Sequence, residues 1–185
     1  YIAKPQSAGL PGLAMKIKIV GPNGESLPAG EVGELYCFGP SVAKEYWRRP
    51  EETAETFKNG WVATGDLARL DEEGFLYLVD RAKDMLIRGG ENIYCIEVEN
   101  VLYEHPAVMD AAIVGIPHKV LGEEVGAVVQ LKPGKTATED EIRHFVAGKL
   151  AAFKVPKAVK FQTEPLPRNA NGKILKPELR ELFTA

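Results

Sequence analysis

The sequence predicts an α+β protein, with a β-rich first part (residues 1–80) followed by a small α+β domain (residues 81–185) in which a short sheet is flanked by helices. Three observations predict it. Residues 14–20 alternate as A-M-K-I-K-I-V, with Lys16 and Lys18 on one face, and a Gly21-Pro22-Asn23-Gly24 turn follows. From Met85 onward, strand-like apolar runs alternate with helical patterns. Between the two parts, Asp80, Arg81, Lys83 and Asp84 fall within five positions, and a Gly89-Gly90 pair follows shortly after. Charge packed this tightly cannot all be buried without large cost, so the stretch reads as an exposed joint and the domain boundary. Its glycines permit backbone angles and close approaches that a side chain would block.

In chain order, residues 9–12 form a Gly/Pro loop and Gly33–Phe38 reads as a second strand. Residues 50–57 open with proline and two acids, a helix start that suits the helix dipole. Residues 67–70 and 75–79 form a hairpin across a D-E-E-G turn. Beyond the joint, residues 96–103 are helical and end before His105-Pro106. Residues 108–116 and 125–131 are strands joined by a loop over 117–122. Thr138 with Glu141 three positions on makes a capping box, and Ile142, Phe145, Val146 and Leu150 give that helix its apolar face. A short strand over 158–162, an irregular loop over 165–172 and a helix from Pro177 through Phe183 complete the chain.

The formal net charge is −3, but it is unevenly placed. Residues 1–131 carry 12 Lys+Arg against 20 Asp+Glu, a net of −8; residues 132–185 carry 11 against 6, a net of +5. A basic tail on an acidic chain fits either an anionic ligand or a solvated basic face, and the balance offers nothing to nucleic acid. Cys37 and Cys95 lack C-x-x-C spacing and read as free thiols of a reducing compartment, with a disulfide left open. No signal-like or membrane-spanning apolar run is seen, so a cytoplasmic protein is expected. The start at Tyr1-Ile-Ala-Lys-Pro, without Met or a capping pattern, reads as cut from something longer. His105, His118 and His144 are too far apart to suggest a metal site.

Candidate chemistry lies in two short stretches. Thr64-Gly65-Asp66 ends a strand-like segment with a carboxylate able to accept from sugar hydroxyls. Arg168-Asn169-Ala170-Asn171-Gly172-Lys173 displays a lysine on a Gly/Asn-rich loop, a mobile point charge for phosphate or carboxylate. No G-x-x-x-x-G-K-[ST] phosphate loop is present.

Taken together, G-W-x-x-T-G-D, then D-R-x-K-D-x-x-x-x-G-G-E-N-I-Y, then P-R-N-x-x-G-K resemble the adenylate-forming superfamily from end to end of the chain. The G-G-E-N-I-Y run looks most like the fatty-acid and aryl-acid CoA ligases. The resemblance implies the last third of an AMP-forming acyl-CoA synthetase: the β-rich end of a large N-terminal domain, a hinge, and a small mobile C-terminal domain. It implies a carboxylic acid, ATP with Mg²⁺, and CoA as reactants, and the missing part of the N-terminal domain as partner. The 185-residue chain alone is then expected to lack full activity. By position, Asp66 matches the ribose-binding aspartate and Arg81 an arginine that reaches the nucleotide. Lys83 matches the hinge, and Gly89 and Gly90 the backbone lining the pantetheine tunnel. Phe153 and Lys157 belong to a segment resembling the one that meets the CoA nucleotide. Lys173 matches the catalytic lysine bridging the substrate carboxylate and the α-phosphate. Cys95 departs from the proline usual there, and Val155 from the basic residue of some relatives. Two alternatives stay open: an adenylating enzyme loading a carrier-protein thiol, and a stand-alone nucleotide- or partner-binding module.

Overall fold

The computed structural model describes residue 4 and residues 6–183, arranged as two compact units, Tyr1–Lys83 and Asp84–Ala185.

The first unit is a five-stranded antiparallel sheet built from β1 (Lys16–Val20), β2 (Gly33–Phe38), β3 (Phe57–Lys58), β4 (Trp61–Leu70) and β5 (Leu76–Arg81). Helix α1 (Pro50–Thr56) precedes β3. Ile19, Leu35 and Ala68 form a small buried core, with Ile17, Leu27, Leu70 and Leu76 packed around it. The long strand β4 is central: β2, β3 and β5 all pair with it. Residues 64–66, read from sequence as lying before a hairpin, are in fact within β4.

The second unit holds another five-stranded sheet, of β6 (Leu86–Arg88), β7 (Glu91–Ile93), β8 (Val108–His118), β9 (Gly122–Leu131) and β10 (Ala158–Gln162). Its helices are α2 (Cys95–Tyr103), α3 (Glu139–Ala147) and α4 (Lys176–Glu181). All pairings are antiparallel except β9–β10. Pro117 and His118, expected in a loop, extend β8, so the turn to β9 contains only residues 119–121. The Thr138–Glu141 capping box is formed in both directions at the start of α3.

The sequence V-G-A-V-V-Q in β9 is a continuous buried run, and the reason is that both faces of the sheet are covered. On one face Ala111, Ile113, Val125, Ala127 and Val129 meet Val98 and Leu102 of α2 and Ile142 and Val146 of α3. On the other, Ala112, Val114 and Val128 meet Leu166 and Leu179 of the C-terminal segment. Alternation in the strands thus feeds two cores rather than one core and solvent.

Cys95 opens α2 at a position where a backbone N–H has no helical partner, which is where proline is tolerated. Here a thiol takes the place, buried and 2.9 Å from the Asp84 carbonyl. Both cysteines are free thiols, and no helix among the described residues is long and apolar enough to cross a membrane.

Leu102 is fully buried between α2 and the sheet. Leu102→Ala should lower the stability of the second unit by about 2–5 kcal/mol, the usual cost of a core cavity. Urea unfolding of the chain, followed by a probe in the second unit, measures it.

Candidate functional site: two loops at opposite ends of one hairpin

In the first unit, a bulge places Asp66. Residues 64–66 of β4 stand opposite the single residue Leu35 of β2, since Glu34 pairs with Leu67 and Tyr36 with Ala63. Thr64 Oγ1 donates to the Leu35 carbonyl (2.9 Å) and accepts from Asp66 N–H (3.1 Å). Gly65 has φ +73°, a left-handed angle that favours glycine, and its N–H donates to Glu34. The result turns the half-exposed Asp66 carboxylate towards Arg81 on β5, with Arg81 Nε 3.1 Å from Asp66 Oδ1. That contact is an ion pair without hydrogen-bond alignment, since Arg81 Nε has no aligned acceptor.

The charged joint is not uniformly exposed. Asp80 is buried at 3% exposure, its Oδ1 accepting from Arg81 N–H at 2.7 Å. The expectation of an exposed run therefore holds for Lys83 but fails for Asp80, because a local backbone donor offsets the cost of burying that carboxylate. Lys83 is the last residue of the first unit.

Gly89 and Gly90 form a two-residue hairpin turn between β6 and β7, with Arg88 opposite Glu91. Their φ angles, +58° and +92°, are the pair of positive values that a type I′ turn needs. A Gly-Gly pair is a hairpin signal that the sequence carries, although the flanking strands are only three residues long and β7 is largely polar. Gly89 N–H donates to the Leu121 carbonyl at 2.8 Å, which docks the turn on the β8–β9 connection. Next to it, Arg88 grips Glu124 through two hydrogen bonds of 3.0 and 2.8 Å. The guanidinium holds the Glu124 carboxyl below its ordinary range. A cavity of about 320 Å³ beside this pair is lined by Arg88, Glu124, Arg143 and Lys157, with Val155 and Pro156. Lys157 is exposed and is held by its N–H to the Val125 carbonyl (2.7 Å). Phe153, in the single 3₁₀ turn Ala152–Lys154, packs partly against the main core. Its neighbour Lys154 pairs with Glu97.

Lys173 sits on a closed loop. Asn169 N–H donates to the Lys173 carbonyl and Leu175 N–H to the Pro167 carbonyl, both at 2.8 Å. The Asn169 side chain accepts from the N–H groups of Asn171 and Lys173. The Lys173 side chain is exposed, and its ammonium has no partner among the described residues. Two ion pairs tie the loop to the sheet and α2: Arg168 with Asp110 at one end, and Lys176 with Glu99 at the other. Asp110 also accepts from Tyr103 Oη at 2.7 Å.

These anchors separate the two loops. Asp110 lies near the start of β8, opposite Gln130, while Gly122 next to the Gly89 dock lies opposite His118 at its end. At about 3.3 Å per residue, eight residues of strand put them about 26 Å apart on one rigid hairpin. The expected residues Gly89, Gly90 and Lys157 thus gather at one end, and Lys173 stands at the other. Among the described residues no group of three His, Cys, Asp or Glu side chains is placed to hold a metal.

Residues 97–173, which hold most of the two-faced sheet and reach the lysine loop, match an AMP-binding enzyme C-terminal domain. The chain is 47% identical to a feruloyl-CoA synthase of an Amycolatopsis species over 96% of its own length and 36% of that protein's. It is 46% identical to a long-chain-fatty-acid–CoA ligase of Bacillus subtilis, again over 96% of the chain and 32% of the relative. Its structure resembles o-succinylbenzoate CoA synthetase from Bacillus subtilis in complex with its acyl-adenylate intermediate, with a TM-score of 0.91 and 40% identity over 97% of this chain and 36% of that one. These matches bear out the resemblance to the adenylate-forming superfamily, and the chain spans about a third of the length of these relatives.

Sequence reasoning missed Asp110, Tyr103, Glu99 and the Arg88–Glu124 pair. Asp110 left a signal: it is a lone carboxylate inside the apolar run V-M-D-A-A-I-V. Burial, then the Asp110 carboxylate, pushes the Tyr103 phenol up to about 12 from 10.0. Because the folded value is raised, this group stabilises the fold below about pH 10 and that contribution is lost as pH rises towards 12. Ultraviolet titration should show one tyrosine ionising near pH 12, absent in Tyr103→Phe. In Asp110→Asn its midpoint should fall yet stay above 10.

Proposed function

We propose that this chain is part of an AMP-forming acid–CoA ligase acting on a fatty or aryl acid. The observation that carries the reading is the separation of the Lys173 loop and the Gly89-Gly90 turn at opposite ends of the β8–β9 hairpin. A rigid body with two such ends can present one of them per step of a two-step reaction, and the names of the relatives supply the two steps. In the first, a carboxylate oxygen attacks the α-phosphorus of ATP, the bond to the β-phosphate oxygen breaks, and pyrophosphate leaves. Asp66 accepts from the ribose hydroxyls, and Arg81, whose bond to Asp66 is unaligned, turns to the nucleotide. Lys173 offsets the charge gathering on the reacting oxygens, help of a kind worth about 2.7–4 kcal/mol per donor. Mg²⁺ enters as part of the ATP substrate.

In the second step the CoA thiolate attacks the acyl carbon and the bond to AMP breaks. The second unit turns about Lys83, withdrawing Lys173 and presenting Gly89 and Gly90 to the pantetheine arm. The exposed Lys157 and the half-buried Phe153 meet the CoA nucleotide, with Arg88 and Arg143 beside Lys157 in the lining of its cavity. Reorientation is then part of each turnover.

Single-turnover assays of the full-length ligase test the reading, with a panel of acids and with CoA compared against a carrier-protein thiol. Lys173→Ala should slow acyl-AMP formation by about two orders of magnitude and leave thioester formation from supplied acyl-AMP near normal. Equal loss in both half-reactions would sink the assignment, and transfer only to a carrier protein would replace CoA as acceptor.

Lys83→Pro tests the pivot. Proline fixes φ near −65° and removes a backbone donor. Acyl-AMP formation should stay within about tenfold of normal while transfer to CoA fails, since only the second step needs the turn. Unimpaired transfer by a folded Lys83→Pro enzyme would exclude this residue as the pivot.

A further inference from the structure

We propose that Arg168 is the positioning residue for Lys173, acting with Asp110 to fix the peptide plane from which the lysine projects. The inference rests on the reading of Lys173 given above. Arg168 Nη1 donates to the Gly172 carbonyl at 2.7 Å, and Nη2 donates to Asp110 Oδ2 at 2.6 Å. The Gly172 carbonyl and the Lys173 N–H belong to one planar peptide unit. That N–H donates to Asn169 Oδ1 at 2.9 Å, so both polar atoms of the plane are held, from two different side chains. Rotating the plane would swing the Lys173 side chain, and it cannot rotate without breaking a bond at each end.

The other end of the strut is equally fixed. Asp110 Oδ1 accepts from Tyr103 Oη at 2.7 Å and from Ala111 N–H at 3.0 Å, leaving Oδ2 for Arg168. Asp110 is on a strand whose neighbours Ala111 and Ala112 are fully buried, one in each core. The Lys173 loop is therefore referenced on this side to the buried strand β8 through the Arg168 guanidinium. A guanidinium is needed because two donors on separate nitrogens must diverge to a carboxylate and a carbonyl. An ammonium on a flexible stem is a point charge and holds no such fork. The Lys176–Glu99 pair braces the far side, and Glu99 in turn accepts from Ile113 N–H on the same strand.

The experiment is a double-mutant cycle in the full-length ligase with Arg168→Met, Lys173→Ala and the double variant, plus Arg168→Lys. Misplacing a reacting group by about 1 Å can cost about a hundredfold. Arg168→Met should therefore slow single-turnover acyl-AMP formation by about ten- to a hundredfold with little change in KM, and leave thioester transfer unchanged. Arg168→Lys should recover only part of that loss. In the Lys173→Ala background, Arg168→Met should cost nothing further, since it acts through the lysine. In parallel, amide exchange on the 185-residue chain should quicken at Lys173 in Arg168→Met and stay slow along β9. If Arg168→Met loosens β9, the near-isosteric Asp110→Asn is read in its place. Additive losses, equal damage to both half-reactions, or a normal rate in Arg168→Met would each overturn the proposal. A normal rate in Lys173→Ala would instead overturn the underlying reading of the lysine.

Discussion

Burial of β9 on both faces is the constraint from which the second unit follows. A central strand covered twice is apolar along its middle, so V-G-A-V-V leaves no room for chemistry there, and its polar residues, Glu124 and Gln130, stand at either side of that run. Helices α2 and α3 close one face, and Leu166 and Leu179 of the C-terminal segment close the other. Only the two ends of the β8–β9 hairpin remain for polar function. One receives the Gly89-Gly90 turn, the other the lysine loop, and their separation is a property of strand length rather than of any loop.

The basic C-terminal part reads differently once folded. Lys149, Lys154, Arg168 and Lys176 pair with Glu104, Glu97, Asp110 and Glu99, all on α2, just beyond it or on β8. Much of the net +5 of residues 132–185 is thus matched by acids lying earlier in the same unit. The exposed one of these, Lys149–Glu104, contributes little to stability. Their consistent arrangement fixes the C-terminal segment to the helix and strand that carry the core. Lys173, like Lys157, is held by its backbone and not by its charge.

In the first unit the same economy operates on a smaller scale. A bulge at Thr64-Gly65-Asp66 removes residues from the ladder, and the freed groups are satisfied by Thr64 Oγ1 and Glu34. Asp66 is thereby re-aimed at Arg81 across the β4–β5 pair. The buried Asp80 beside it, which accepts from the Arg81 N–H, shows that a charged run is not a uniform surface.

The sequence by itself determined the element pattern, because periodicity, capping and turn chemistry act over a few residues. The Thr138–Glu141 box, the β2 strand and the helix before His105 are local signals of this kind. The three motifs, in order, also carry the resemblance to the adenylate-forming superfamily, which the match of residues 97–173 to an AMP-binding enzyme C-terminal domain bears out. What only the tertiary structure decided is which distant residues meet. Asp110 touches Arg168 across 58 positions and Arg88 grips Glu124 across 36, and no local pattern encodes such partners. The extension of β8 through Pro117 and His118 came from pairing with β9, which outweighs the turn preference of proline. The burial of Asp80 and the two-sided covering of β9 are likewise outcomes of packing. Sequence spacing can name a lysine on a loop; only the fold supplies the strut that holds it in place.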